Sequence, residues 1–314
     1  MPTAHSWKPD LLEGHEAATI DLGAAFDGDL AATLVRRPYR HDAAVVYIHG
    51  FADYYFQVHM ADAFDRAGLD LVAVDLRRHG RSLRPGNRRN FVASIDDFWP
   101  EVDAAIAEAT RDHRRVVLLG HSTGGLVASI YAHRGPLRHS IDAVVLNSPW
   151  LDVKLPPLMR VAWEVAKRLG HLKPHLDVAS GPSYYLESIH SSLRGEWDFD
   201  LAWKPPEGDP VQPGWVRAIG RAHSEVHRGL AIEVPVLVQH SDRSAPSDRW
   251  SPELLCADGV LDVGQIHRWA PALGPDVTIQ TIVGGLHDLW LSPPDVRAQV
   301  QARTIEWVAG VLGA

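Results

Sequence analysis

A hydroxyl becomes a useful nucleophile only when a base stands beside it and something receives the charge it creates. The sequence offers such a hydroxyl in Gly120-His121-Ser122-Thr123-Gly124-Gly125, a G-x-S-x-G that directly follows an apolar run and directly precedes a helical one. Small residues around Ser122 permit a sharp strand-to-helix turn. That turn lifts the hydroxyl above the sheet edge, at a helix N-terminus where amides favour developing negative charge. The piece has no G-x-G-x-x-G and no phosphate-loop lysine, so a nucleotide reading fails. His49-Gly50-Phe51 ends the first strongly apolar run. A glycine there lets the backbone approach Ser122, so the amides of Phe51 and Thr123 are expected to form an oxyanion hole. His287, in Gly284-Gly285-Leu286-His287 after the last apolar run, is the expected base, because imidazole titrates near neutrality. Among 18 histidines, its position at the same sheet end as Gly50 and Ser122 singles it out. Asp242, at the end of the preceding apolar run, is the expected acid that orients it. His49, His121, Trp203 and Trp215 are expected to line the substrate pocket.

These residues need a scaffold that brings them to one edge. Apolar runs at 43–49, 70–76, 115–120, 141–146, 234–239 and 277–283 read as strands buried on both faces. Helical spacing at 57–67, 95–110, 123–133 and 296–311 alternates with them. Strand and helix in alternation mean an α/β fold, with a mainly parallel central sheet flanked by helices. Residues 17–22 and 30–37 read as a leading antiparallel pair turning at Asp27-Gly28-Asp29. About eighty residues, 152–231, interrupt the rhythm. They hold expected helices at 157–169 and 213–227 around a Pro-, Trp- and Ser-rich stretch. A connection that long is a functional insertion. The chain therefore reads as core 1–151, a mostly helical cap 152–231, and core 232–314.

Composition removes several alternatives. The chain has 314 residues and one cysteine, Cys256, so no intrachain disulfide can form. A net charge of -8 argues against nucleic-acid binding. No apolar run approaches the length of a membrane span, and the first 21 residues lack the apolar core of a secretory signal. The expectation is a cytoplasmic protein, without stable membrane insertion, acting on a small molecule. No cofactor and no metal are expected, and oligomeric state is left open.

The chain resembles α/β-hydrolases of the serine aminopeptidase and monoacylglycerol lipase (lysophospholipase-like) group. The likeness runs from about Val45 to Val311. It rests on His49-Gly50-Phe51, on Asp75-Leu76-Arg77-Arg78-His79-Gly80-Arg81-Ser82, on Gly120 to Gly124, and on Asp242 and His287. It implies hydrolysis of carboxylic esters of lipid-like or other apolar acids, through a Ser-His-Asp triad, beneath a helical cap. An acyltransferase with the same triad and a non-catalytic ligand-binding homologue are the alternatives. The chain departs from the group in two places. Ala52 stands where many relatives have a second glycine. The acid loop is one residue short: an ungapped overlay puts Ser244 at the acid position, and one deletion restores Asp242. An extra segment before His287 holds Asp258 and Asp262, either of which can replace Asp242 as partner.

Other patterns are weaker. His223 and His227, like His171 and His175, are spaced for a shared metal ion, but no base glutamate accompanies them, and cap or surface roles are favoured. Trp163, Trp197, Trp203, Trp215, Phe199, Tyr184 and Tyr185 in the insertion suit either a pocket wall or a small cap core. Arg77, Arg78, Arg81, Arg84, Arg88 and Arg89 read as a solvated basic loop.

Overall fold

The computed structural model describes residues 5–153, 157–178 and 183–313. Its nine strands are β1 (Lys8–Pro9), β2 (Glu16–Ala25), β3 (Gly28–Arg36), β4 (Ala43–Ile48), β5 (Leu69–Asp75), β6 (Arg115–His121), β7 (Ala143–Asn147), β8 (Val236–Ser241) and β9 (Val277–Ile282). Its helices are α1 (Val58–Arg66), α2 (Trp99–Asp112), α3 (Thr123–Arg134), α4 (Pro157–Leu172), α5 (Tyr184–Ile189), α6 (Pro213–Arg228), α7 (Val263–Trp269) and α8 (Pro294–Leu312). All strands join one sheet in the order β1-β2-β3-β5-β4-β6-β7-β8-β9. The leading strands pair antiparallel as far as β3 on β5, and every later pair is parallel. The α/β class and all six apolar strands stand as expected.

Alternation along each strand divides the core in two. Val46, Ile48, Val72, Val74 and Leu118 face α2 and α3, meeting Val102, Ile106, Leu126 and Ile130. Val45, Tyr47, Leu71 and Val117 face the other way, onto Met60 and Phe64 of α1 and Val300 and Val308 of α8. Helix α3 is buried over nearly its whole length, from Thr123 to Ala132, as a helix apolar on all sides must be. The helix expected at 95–110 opens as a 3₁₀ turn, Ile95–Phe98, behind a Ser94/Asp97 capping box. The sequence reading missed the short elements β1, α5 and α7, which lack the length for a clear period.

Register fixes where chemistry can occur. Ile48 stands opposite Gly120, His121 opposite Asn147, and Ser241 opposite Ile282. The chain thus leaves β4, β6, β7, β8 and β9 at one edge, the C-terminal edge where parallel sheets place their sites. The insert between β7 and β8 carries α4, α5 and α6. Helix α6 buries Trp215, Val216, Ile219 and Val226 in the larger core, while Val161, Val165, Leu169 and Leu172 of α4 stay exposed. No helix among the described residues is long and apolar enough to cross a membrane.

Candidate active site

Ser122 sits between β6 and α3 with φ 54° and ψ -117°, a left-handed backbone held against its own side chain. Its neighbours explain how that is tolerated. The Ser122 amide donates to the Asn147 carbonyl at 3.0 Å, and its carbonyl accepts from Leu126 at 3.1 Å and Trp150 at 3.0 Å. A Cβ on Gly124 would lie 2.3 Å from the His49 carbonyl oxygen and 2.4 Å from that of Ile48, so only glycine lets α3 start this close to β4. A Cβ on Gly50 would meet the Ser122 Cβ at 3.1 Å, the close approach expected of that glycine. Thr123 opens α3, so its amide has no carbonyl within the helix to bond. Among the described residues the Phe51 amide donates to no backbone carbonyl. Both amides are therefore free to serve an anion.

The Ser122 hydroxyl donates to His287 Nε2 at 2.9 Å. The other ring nitrogen, Nδ1, donates to Oδ2 of Asp258 at 2.9 Å. A carboxylate only accepts, so the proton lies on Nδ1 and Nε2 is the lone pair that faces the hydroxyl. All three residues are buried, Asp258 completely. The second Asp258 oxygen accepts from the amides of Val260 and Leu261, both at 2.8 Å, which fixes the carboxylate in one orientation.

Asp242, the expected acid, is elsewhere. Its Oδ1 accepts from the Gly284 amide at 2.8 Å, its own amide donates to the Ile282 carbonyl at 3.0 Å, and Arg243 binds its Oδ2 at 3.1 Å. It fastens the end of β8 to the turn after β9. The physical reason lies in the extra segment. After Ser241 the chain leaves the sheet, loops out, and returns beside its own departure point. The Asp258 amide donates to the Arg243 carbonyl at 3.0 Å, the Ala245 amide to the Asp258 carbonyl at 2.8 Å, and Ser244 pairs with Asp258 as a parallel bridge. Asp258 thus stands beside Ser244, the residue that an ungapped overlay puts at the acid position. Asp262 caps α7, accepting from the Gln265 amide at 3.1 Å.

The loop after β4 is held from below by the Asp75–Ser82 motif. Asp75 accepts from the Tyr55 amide at 2.9 Å and from Arg81 Nη1 at 2.9 Å. Five of the six arginines expected to be solvated are paired instead: Arg77 with Glu101, Arg78 with Asp27, Arg81 with Asp10 and Asp75, Arg88 with Asp177 and Arg89 with Asp209, while Arg84 donates to the Arg81 carbonyl at 3.2 Å. His49 accepts from the Leu76 amide at 3.0 Å through Nε2 and donates from Nδ1 to the Gly50 carbonyl at 2.8 Å. Burial pushes its pKa down to about 4, so it is a neutral structural ring. Beneath His287, Asp288 accepts from Asn147 Nδ2 at 2.7 Å and from Gln57 Nε2 at 3.1 Å.

A cavity of about 270 Å³ opens over Ser122 and His287. Phe51, Trp150, Trp215, Val260 and Leu261 give it an apolar wall, and Asp53, Lys204 and Asp209 a polar one. His121 and Trp215 line it as expected. His49 lies under the loop instead, and Trp203 packs edge-on against Tyr54, with ring centres 5.1 Å apart. The aromatic residues of the insert divide between roles: Tyr185 and Trp215 line the cavity, while Phe199 packs with Tyr54, Phe56 and Leu286 in a satellite core. The Nε2 atoms of His223 and His227 bond the Trp150 and Leu151 carbonyls, at 2.9 and 3.1 Å, so these rings tether α6 to the end of β7. Sequence reasoning missed Asn147, Asp288 and the Asp53–Lys204 pair, and it left Tyr185 open between pocket wall and cap core. Each matters through a contact distant in sequence, which no local pattern announces.

Comparison with known proteins agrees with this fold. The family described as serine aminopeptidase, S33, matches residues 39–293. A monoacylglycerol lipase of Mycolicibacterium smegmatis is 31% identical over 215 residues, covering 63% of this chain and 69% of that protein. Phospholipase YtpA of Bacillus subtilis is 33% identical over 145 residues, 45% of this chain and about half (53%) of its own length. In fold, the chain is similar to a soluble variant of monoglyceride lipase from Saccharomyces cerevisiae, with TM-score 0.66 at 16% identity over 94% of this chain and 97% of the other. It is similar also to the monoacylglycerol lipase of Paleococcus ferrophilus, with TM-score 0.64 at 21% identity over 94% and 99%.

Proposed function

The chain belongs to the serine aminopeptidase S33 family, in the monoacylglycerol lipase group of α/β-hydrolases, and is a serine hydrolase of the lipase and esterase kind; from that premise we propose that it cleaves carboxylic esters of apolar acids through a covalent acyl-enzyme. The observation that carries the reading is the continuous hydrogen-bonded line from Ser122 through His287 to Asp258. Ser122 Oγ attacks the acyl carbonyl as its proton passes to His287 Nε2. Asp258 holds the ring in the productive tautomer and stabilises the imidazolium. The oxyanion falls to the amides of Phe51 and Thr123. His287 then protonates the departing alkoxide, and water, deprotonated by the same nitrogen, releases the acid. The acyl group rests on Phe51, Trp150, Trp215 and Leu261, where removing apolar surface from water favours binding. A volume of about 270 Å³ is at the small end for ligand sites, which favours one acyl chain over a bulky multi-chain lipid.

A fluorophosphonate probe and a panel of p-nitrophenyl and glyceryl esters of rising chain length test this. The expected result is labelling at Ser122 and turnover that Ser122→Ala lowers by about 10⁴–10⁶-fold while its circular dichroism stays wild-type. A folded wild-type protein that neither labels nor cleaves any ester sinks the reading.

A further inference from the structure

Two loops bring reacting groups to Ser122, and the insert grips both. The first carries His287. The amide of the next residue, Asp288, donates to the Tyr185 hydroxyl at 3.0 Å. The Tyr185 ring stands edge-on to the imidazole, with centres 5.5 Å apart and planes at 86°. The second loop carries Phe51, the oxyanion donor. Two residues on, Asp53 accepts from Lys204 Nζ at 2.5 Å, with both side chains all but removed from solvent. The remaining Asp53 oxygen has no hydrogen-bond partner among the described residues, so one lysine holds this carboxylate. Around these two ties, Tyr54 and Phe56 of the oxyanion loop and Leu286 and Leu291 of the base loop pack with Tyr185, Leu186, Ile189 and Phe199 of the insert. The Trp197 indole adds a bond to the Leu291 carbonyl at 2.8 Å.

We propose that Tyr185 and Lys204 are positioning residues of the catalytic machinery, so that seating the insert sets the imidazole and the oxyanion amide together. This rests on the acyl-enzyme reading above. The physical demand is placement: nucleophile, base and anion donors must be held to a fraction of an ångström, and loops alone do not hold that tolerance. Asn147 and Gln57 hold the Asp288 side chain from the sheet side, while Tyr185 holds its backbone from the insert side. On the oxyanion side Asp75 holds the Tyr55 amide, and Lys204 holds Asp53. Both loops are therefore tied on one side to the core and on the other to the insert.

The test uses p-nitrophenyl acetate, whose acyl group is too short to depend on the apolar wall. Tyr185→Phe keeps the ring and removes the hydroxyl. It is expected to lower kcat by about 2–10-fold, the worth of one hydrogen bond, with KM within about twofold. Fluorophosphonate labelling of Ser122 is expected to slow by the same factor. The downfield Nδ1 proton of His287, read by NMR without turnover, should shift and broaden. Lys204→Met alone leaves a buried carboxylate unpaired, so it is compared with Asp53→Leu/Lys204→Met, which leaves none. The double variant is expected to regain the melting temperature that the single one loses, while kcat and labelling stay about tenfold or more below wild type. Wild-type labelling and an unmoved Nδ1 proton in Tyr185→Phe, or recovery of kcat together with melting temperature in the double variant, overturns the proposal. A wild-type protein that labels but hydrolyses no ester counts against the ester reading, and the labelling rates still decide this one.

Discussion

Asp258, the acid of the proposed mechanism, is picked out by geometry and not by position along the chain. It meets His287 Nδ1 at 2.9 Å and is completely buried, whereas Asp242 faces the Gly284 amide and Arg243. The three candidate acids should therefore separate when each is changed to Asn. Asp258→Asn favours the wrong imidazole tautomer and should cost about 10⁴ in kcat at neutral pH. Asp242→Asn keeps an oxygen for the Gly284 amide and Asp262→Asn keeps a cap, so each should cost less than about twofold in kcat, with a stability change of about 0.5–1 kcal/mol. Steady-state kinetics on one soluble ester decides it, and an active Asp258→Asn contradicts the assignment. The turn at Ser122, the approach of Gly50 to it and the contact of Ser122 with His287 were legible in the sequence because each residue lies within a few positions of a strand end, so strand position aims it. The acid was not, because sequence order favoured the strand end at Asp242. Only the parallel bridge of Ser244 to Asp258 shows that a later residue has been brought back to the same edge.

The elements differ in how openly the sequence displays them. Strands buried on both faces are continuous apolar runs and were readable to within two residues or so, as β4 and β6 are. The six-residue α5 was not, for it spans less than two turns and is defined by what it packs on. The wall of the cavity likewise depends on tertiary contact. Trp215 of α6 lies against Phe51 with ring centres 4.5 Å apart and against Trp150 at 5.5 Å, while Trp203 turns toward Tyr54. Trp215→Ala should thus flatten the preference for longer acyl chains, lowering kcat/KM on octanoyl esters by about tenfold or more relative to acetyl esters. Trp203→Ala should leave the chain-length profile unchanged. Measuring both profiles against wild type tests the wall, and a shift in Trp203→Ala alone would refute the placement.

For the molecule as a whole, acid works against the buried, neutral histidines of its interior. Burial holds His49 and His223 down to about 4 and His79 down to about 3, all neutral in the folded protein. In the unfolded chain the same rings take protons near pH 6.5. Between about pH 6.5 and 4 the unfolded state therefore binds more protons, and stability falls as pH drops through that window. Each ring contributes on the order of 1 kcal/mol per pH unit there, so urea unfolding at pH 7, 6 and 5 should show a loss of several kcal/mol. Asp10, Asp27, Asp53, Asp65 and Asp177, whose pKa values are lowered, add their loss only as pH falls through and below the usual carboxylate range. Stability that is flat from pH 7 to 5 would show that these rings are not kept neutral. The excursion that delivers Asp258 has its own consequence at this scale. Arg249 is exposed at its tip, while its two ends are fastened to each other through Arg243, Ser244, Ala245, Asp258 and Leu261. A single tryptic cut after Arg249 should yield two fragments, 1–249 and 250–314, that co-elute on gel filtration and still turn over ester. Nucleophile and acid would then belong to separate polypeptides, joined across the sheet with no peptide bond between them.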